Sequence, residues 1–266
     1  TNSASFNRGT EIRTIKFGTL ETNNLTDLSA KFDAEYKTSS KNSILFGLQY
    51  NKFNIDYTFS QNDTLEIIGK RDNGGLMAAY LQDEAHFGNL TVKGGMRMSY
   101  FSPTSKTYFE PRLSASYAVN DRLKIKGAWG IYNQFAKQVE REDISNGSRN
   151  FWVLANDSYL PVTSSTHLIL GASFETNDYL FDVEGYYKDM KGIDFLVQRK
   201  FGDYTGWVGY TIAQADKNIV LPTGETTFPS NFDVRHEFKS VNIYKLGRWD
   251  LGATFLYATG KPFTSI

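Results

Sequence analysis

Apolar and polar residues alternate along this chain with a period of two over long stretches, which is the strand period, and few stretches follow the helical 3.6. Between residues 112 and 119, Leu113, Ala115, Tyr117 and Val119 share one face, and Arg112, Ser114 and Ser116 share the other. Leu123, Ile125, Gly127, Trp129 and Ile131 alternate in the same way with Lys124, Lys126, Ala128, Gly130 and Tyr132. The pattern recurs around Phe32, Phe181 and Phe255. Strands of soluble proteins usually run about 5 to 6 residues. These alternations persist for ten or more, and a membrane-spanning strand needs about 9 to 11.

The polar face decides which solvent each side meets. It carries Lys31, Asp33, Glu35, Lys93, Arg97, Arg112, Lys124, Lys126, Asp182 and Glu184. In a dry core each unpaired charge would cost several kcal/mol. A hydrated lumen removes that cost, and the apolar face then meets lipid. The pattern therefore predicts an all-β chain, an antiparallel transmembrane β-barrel wall, in place of a soluble sandwich.

Thirteen strands are predicted, at 10–19, 27–37, 43–59, 76–86, 90–101, 107–119, 123–135, 167–176, 179–188, 194–201, 205–214, 235–245 and 249–258. Tight Gly, Asn, Asp and Ser breaks at 38–42, 87–89, 120–122, 176–178, 202–204 and 246–248 have hairpin chemistry. They alternate with breaks at 20–26, 60–75, 102–106, 136–166, 189–193 and 215–234. Short turns belong to the periplasmic side of such barrels and long loops to the outside. The segments 60–75, 136–166 and 215–234 are thus expected as extracellular loops of a single barrel domain over 1–266. An odd strand count does not close a bacterial single-chain barrel of the usual type, so the chain reads as part of a larger wall.

Composition narrows the alternatives. The 266 residues hold 29 Lys plus Arg against 29 Asp plus Glu, and no cysteine. Zero net charge leaves no basic footprint for nucleic acid. Lack of cysteine removes disulfides, Cys-ligated zinc and thiol catalysis together. The longest apolar run, 76–81, is far short of the roughly 20 residues of a spanning helix. Residues 1–18 lack the apolar stretch of a secretory signal, so either a leader has been removed or the chain is cytosolic. The many Phe and Tyr residues gather near strand ends, among them Tyr100, Phe101, Tyr108, Phe109, Trp129, Tyr132, Phe135, Tyr186, Tyr187, Tyr257 and Phe263. Anchoring at the headgroup level is their expected role.

Several segments resemble the TonB-dependent outer-membrane receptors, in the branch common in Bacteroidota. They are Glu110-Pro111-Arg112-Leu113-Ser114 through Asn120-Asp121-Arg122-Leu123-Lys124, then Tyr186-Tyr187-Lys188-Asp189-Met190 and Gly206-Trp207-Val208-Gly209-Tyr210-Thr211. Phe232-Asp233-Val234-Arg235-His236-Glu237, Ala258-Thr259-Gly260-Lys261-Pro262 and Tyr80-Leu81-Gln82-Asp83-Glu84 are similar too. The resemblance implies a 22-stranded barrel of which this chain holds about 13 strands, and a plug domain that it lacks. It also implies energy-coupled uptake of a scarce solute in the bacterial outer membrane. The implied partners are outer-membrane lipid, a small solute, the TonB complex acting through the plug, and a surface lipoprotein. In this family 189–193 is usually a longer excursion. A passive diffusion channel and a membrane-embedded lipid-modifying enzyme are the alternative readings.

No catalytic, cofactor or metal set is expected. His86, His167 and His236 lack partners at metal-binding spacing, and Ser164, Ser165 and His167 lack the geometry by which triads are recognised. The charged stretch Glu140, Arg141, Glu142 and Asp143 does not match a calcium loop. Phe151, Trp152, Tyr159 and Leu160 follow in the longest loop. Exposed rings there either pack on neighbouring loops or form a ligand mouth. Arg149, Phe151, Trp152 and Tyr159 are accordingly the candidate ligand contacts.

Overall fold

The computed structural model describes residues 3–7, 14–16, 19–61, 65–141, 149–188, 190–221, 224–230 and 233–262. All regular structure among them is β. In chain order the strands are β1 (Ser3–Asn7), β2 (Thr14–Lys16), β3 (Thr19–Ser39), β4 (Asn42–Gln61), β5 (Leu65–Phe87), β6 (Leu90–Phe101), β7 (Lys106–Ala118) and β8 (Leu123–Gln134). They continue as β9 (Ala136–Arg141), β10 (Arg149–Leu154), β11 (Thr163–Glu175), β12 (Tyr179–Tyr187) and β13 (Met190–Arg199). Then come β14 (Tyr204–Leu221), β15 (Gly224–Pro229), β16 (His236–Leu246) and β17 (Trp249–Ala258).

One antiparallel sheet follows the order β1-β3-β4-β5-β6-β7-β8-β11-β12-β13-β14-β16-β17, with β2 paired to β3 and β15 to β14. Its main path holds 13 strands, and those at 90–101 and 249–258 fall where the periodicity puts them. Of the strand expected at 10–19, the described residues show β2 at 14–16, and both β2 and the earlier β1 ladder to β3; residues 10–13, 17 and 18 lie outside the described residues. The expected loops 60–75, 136–166 and 215–234 carry strand as well. β5 already begins at Leu65, β9 and β10 form a hairpin of their own, and β14 runs to Leu221 before β15. A long excursion can satisfy its main-chain groups by pairing with itself, and these do so.

All six tight breaks are present, with local chemistry to match. Gly88 and Gly247 sit at φ of 60° and 62°, a left-handed conformation that costs other residues about 1 to 2 kcal/mol. Asn120 Oδ1 accepts hydrogen bonds from the main-chain N–H groups of Arg122 and Leu123, at 2.9 and 2.8 Å. At 188–190, Lys188 N–H donates to Met190 O at 2.7 Å, and Tyr187 faces Lys191 in the ladder, so the connection is short.

The chain divides into two compact units: 1–84, 94–111 and 131–164 form the first; 85–93, 112–130 and 165–266 form the second. In the second unit, Leu113, Tyr117 and Trp129 are exposed, at 51, 48 and 40%. Leu170, Phe181, Phe195 and Phe255 are exposed with them. The opposite face is ionic. Lys126 pairs with Asp182 at 3.0 Å and also with Glu184, and Ser173 hydrogen-bonds Asp182.

The first unit repeats this division and then inverts it. On β3 and β4 the exposed apolar residues are Leu28, Phe32 and Tyr36 with Phe46, Leu48 and Tyr50. The other face holds Lys31 and Asp33, paired at 2.9 Å. It also holds Asn51, which donates to Asp27 at 3.1 Å. Arg97 on β6 reaches Glu110 on β7 at 3.1 Å and Gln49 on β4 at 3.0 Å. Glu110, only 4% exposed, also accepts from Asn133 N–H at 2.8 Å. Beyond Lys52 the faces swap polarity. Leu25 pairs with Ile55, and Asp27 with Phe53, so apolar groups now lie on the face that was ionic, while Asn54 and Asp56 occupy the one that was apolar.

On that inverted face a small core forms. Leu76, Phe101, Phe135 and Ala155 are buried together, with Phe53, Tyr108 and Val162 packed against them. The Phe101 and Phe135 rings lie 4.9 Å apart, and Tyr108 meets Phe135 edge-on at 5.2 Å. The expected headgroup anchoring therefore fits only some of the aromatics. Tyr100, Phe109, Tyr187 and Tyr257 are exposed on the apolar face, while Phe101 and Phe135 are core. Neighbouring strand residues point to opposite faces, so Tyr100 and Phe101 cannot share a role. Phe263 lies outside the described residues.

Candidate functional site

The inverted region carries a cavity of about 430 Å³ in the first unit. Three walls build it. β3 and β4 contribute Asn23, Ile55 and Tyr57, and β5 contributes Lys70 and Asp72. The β9–β10 hairpin and the segment after it contribute Val139, Phe151, Trp152, Val153, Tyr159 and Leu160.

Asn23 joins the hairpin to the sheet. Its Oδ1 accepts from Trp152 N–H at 2.8 Å, and its Nδ2 donates to Trp152 O at 3.5 Å. The amide thus imitates a strand partner and satisfies both main-chain groups of Trp152. Register within the hairpin pairs Phe151 with Val139 and Trp152 with Gln138. Phe151 meets the Tyr57 ring at a centroid distance of 6.4 Å. Tyr57 is itself fixed by donating to Glu21 at 2.8 Å.

Tyr159 is held from the other side. Asn156 Oδ1 accepts from the N–H groups of Ser158 and Tyr159, both at 2.9 Å, which shapes the turn. Lys106 pairs with Asp157 at 2.8 Å and ties that turn to the strand start of β7. Lys70 donates to the Tyr159 hydroxyl, lies 4.5 Å over its ring and pairs with Asp72 at 3.0 Å. The Tyr159 hydrogen bond and the nearby Asp72 carboxylate hold the Lys70 pKa above its ordinary value despite partial burial. Lys70 is therefore a standing cation.

Such a site is built to bind. Its rings offer stacking and cation–π surfaces, and Lys70 with Asp72 offers one charge of each sign. No group of three or more His, Asp or Glu able to hold a metal occurs among the described residues. His86 and His236 are engaged with Thr91 and Tyr210, each at 2.9 Å. Ser165 Oγ is buried without a hydrogen-bond partner.

Of the four sequence candidates, Phe151, Trp152 and Tyr159 line this one cavity. Arg149 opens β10 opposite Arg141, and its side chain lies outside the described residues. Asn23, Lys70 and Asp72 escaped the sequence reading because 20–26 and 60–75 read as loops, and Tyr57, inside the strand expected at 43–59, carried no sign of a partner in the hairpin. The available signal was the swap at Lys52, where alternation continues while the apolar set changes face.

No curated protein matches the chain. Among solved structures, it resembles the ferric yersiniabactin uptake receptor FyuA of Yersinia pestis, with TM-score 0.65 and 11% identity over 93% of this chain and 45% of that one. The alcaligin outer-membrane receptor FauA of Bordetella pertussis gives TM-score 0.65 and 14% identity, over 94% of this chain and 49% of that one. A ferric enterobactin receptor (PfeA) mutant of Pseudomonas aeruginosa gives 0.65 and 11%, over 88% and 41%. The chain thus spans less than half the length of these structures, and the likeness establishes the fold. The family model described as "TonB dependent receptor-like, beta-barrel" matches residues 1–219. This is a family of receptors and transporters and not of enzymes, and it resides in the bacterial outer membrane. The chain belongs to the TonB-dependent receptor β-barrel family, and its alternating strands are transmembrane barrel wall.

Proposed function

We propose that the chain is barrel wall, about 13 strands of a larger closed ring, from a receptor that captures a scarce small solute outside the cell and passes it inward using energy delivered by TonB. The cavity carries this reading: a pocket walled by Phe151, Trp152, Tyr159 and the Lys70–Asp72 pair, on the face that is ionic farther down the same strands. The end bearing the long hairpins, 60–75, 136–166 and 215–234, is extracellular, and the tight turns are periplasmic. Outer-membrane lipid covers the apolar face. The quoted sequence segments favour the Bacteroidota branch, in which a surface lipoprotein assists. Energy coupling requires that force on the plug disfavour the ligand-bound arrangement of the pocket, since only differential affinity shifts such an equilibrium.

The test is uptake by cells that depend on this gene for growth on a limiting solute. Trp152→Ala and Tyr159→Ala should each raise the half-saturating solute concentration about tenfold, equivalent to about 1.4 kcal/mol, and loss of TonB should abolish uptake. Uptake that continues without TonB, with ohmic conductance of the purified protein in planar bilayers, would instead identify a passive channel.

A further inference from the structure

We propose that the apolar face of β11 to β14 holds a site for one phosphorylated lipid of the outer leaflet, with an acyl chain in a slot over Gly185 and the phosphate on Lys191. This inference rests on the reading above, in which that face meets lipid and the end bearing the long hairpins is extracellular.

A groove of about 510 Å³ crosses these four strands. Ladder pairing arranges its residues in two rows. Leu170 pairs with Gly185, Gly185 with Ile193 and Ile193 with Ile212, so one row crosses all four strands with a gap where the glycine stands. Only the Leu170 carbonyl oxygen, at 3.9 Å, lies within 4 Å of where a Gly185 Cβ would be, so the gap is open. The second row, two residues nearer the strand end, runs Leu168, Tyr187, Lys191 and Gln214. Two residues of strand are about 7 Å. An aromatic ring and a cation thus stand one short step above an apolar slot.

Charge separates this groove from its counterpart. Lys191 forms no ion pair among the described residues, whereas Arg235, which also lines the groove, is engaged by Asp233 at 3.0 Å. A second apolar groove, of about 570 Å³, lies across β3 to β6 between Phe32, Leu48, Met77 and Met98. The one cation lining it, Lys31, belongs to the ionic face and is paired with Asp33. Hydrocarbon surrounds both grooves equally, so apolar burial alone cannot favour either over bulk bilayer. Selectivity must come from an anionic head against Lys191, in a setting where the low-dielectric bilayer strengthens the attraction.

The protein, extracted from its own outer membrane in mild detergent, is titrated with bisphosphorylated lipid A or with zwitterionic phosphatidylcholine, and bound lipids are counted by native mass spectrometry. Wild type should bind one lipid A in preference to phosphatidylcholine. Lys191→Ala and Gly185→Leu should each weaken it at least fivefold, Lys191→Arg should preserve it, and Ala79→Leu in the second groove should change nothing. Lipid A binding that Lys191→Ala leaves intact, while annular lipid is still retained, overturns this site alone. Wild-type protein that retains no lipid of either kind overturns the membrane reading beneath it.

Discussion

Single residues in this wall are constrained by what stands across the ladder from them. A Cβ on Gly192 would fall 2.7 Å from the Ile212 carbonyl oxygen and 2.5 Å from the Tyr186 hydroxyl, and the first of these is main chain that cannot swing aside. Gly252 on β17 has nothing within 4 Å of the same position. Gly192→Ala should therefore destabilise the barrel by about 1 to 3 kcal/mol, the usual range for overpacking, while Gly252→Ala should be neutral or slightly stabilising. Urea unfolding midpoints in detergent would check this pair, and equal midpoints would contradict the packing seen around Tyr186. Side chains with two uses obey similar limits. Asn23 gives both ends of its amide to Trp152 main chain, so an apolar substitute leaves two groups without partners.

Among elements, alternation determines the face and turn chemistry determines the breaks. That is why most of β3 to β17 could be read from residues alone. Leu113 and Tyr117 are exposed as the period requires, and Asn120 and Gly247 terminate strands where their chemistry allows it. Strand extensions beyond the bilayer were not legible. At 21–26 and 69–75 polar residues are spread over both faces, so no single apolar stripe continues the pattern. The cavity was half legible for the same reason: Phe151, Trp152 and Tyr159 stand out as rings in a polar stretch, whereas Asn23 and Lys70 are ordinary polar residues until pairing brings them to the hairpin. A cysteine-free chain makes the faces easy to test. In intact outer membranes, Leu113→Cys and Tyr117→Cys should resist a charged maleimide, and Ser114→Cys and Ser116→Cys should react at least tenfold faster. The opposite order would place lipid on the wrong side of β7.

For the molecule as a whole, the function proposed above depends on two solvents meeting one sheet: lipid along the apolar face, and water with solute along the other. Arg97 with Glu110 joins two neighbouring strands, and Lys126 with Asp182 reaches across β11 from β8 to β12. On the reading proposed above, such ties on the ionic face would brace each part of the wall while a plug moves past it. The polarity swap on β3 and β4 also has a thickness. Leu28 to Tyr36, the apolar stretch of β3, covers about 27 Å along the strand, or roughly 20 Å of membrane normal at the usual 35 to 45° tilt. Lys52, opposite Leu28, closes one end of it on the apolar face, whereas Lys37 belongs to the ionic face with Lys31, Asp33 and Glu35. The outer membrane is thinner than average, and this stretch suits it. In proteoliposomes of graded chain length, thermal stability should be greatest in short-chain phosphatidylcholine and fall as acyl chains lengthen, because a thicker bilayer would drag Lys52 and the polar Asn54 and Asp56 beyond it on the same face into hydrocarbon. The apolar band that ends at Lys52 thus acts as a ruler that favours one membrane of the cell over the other.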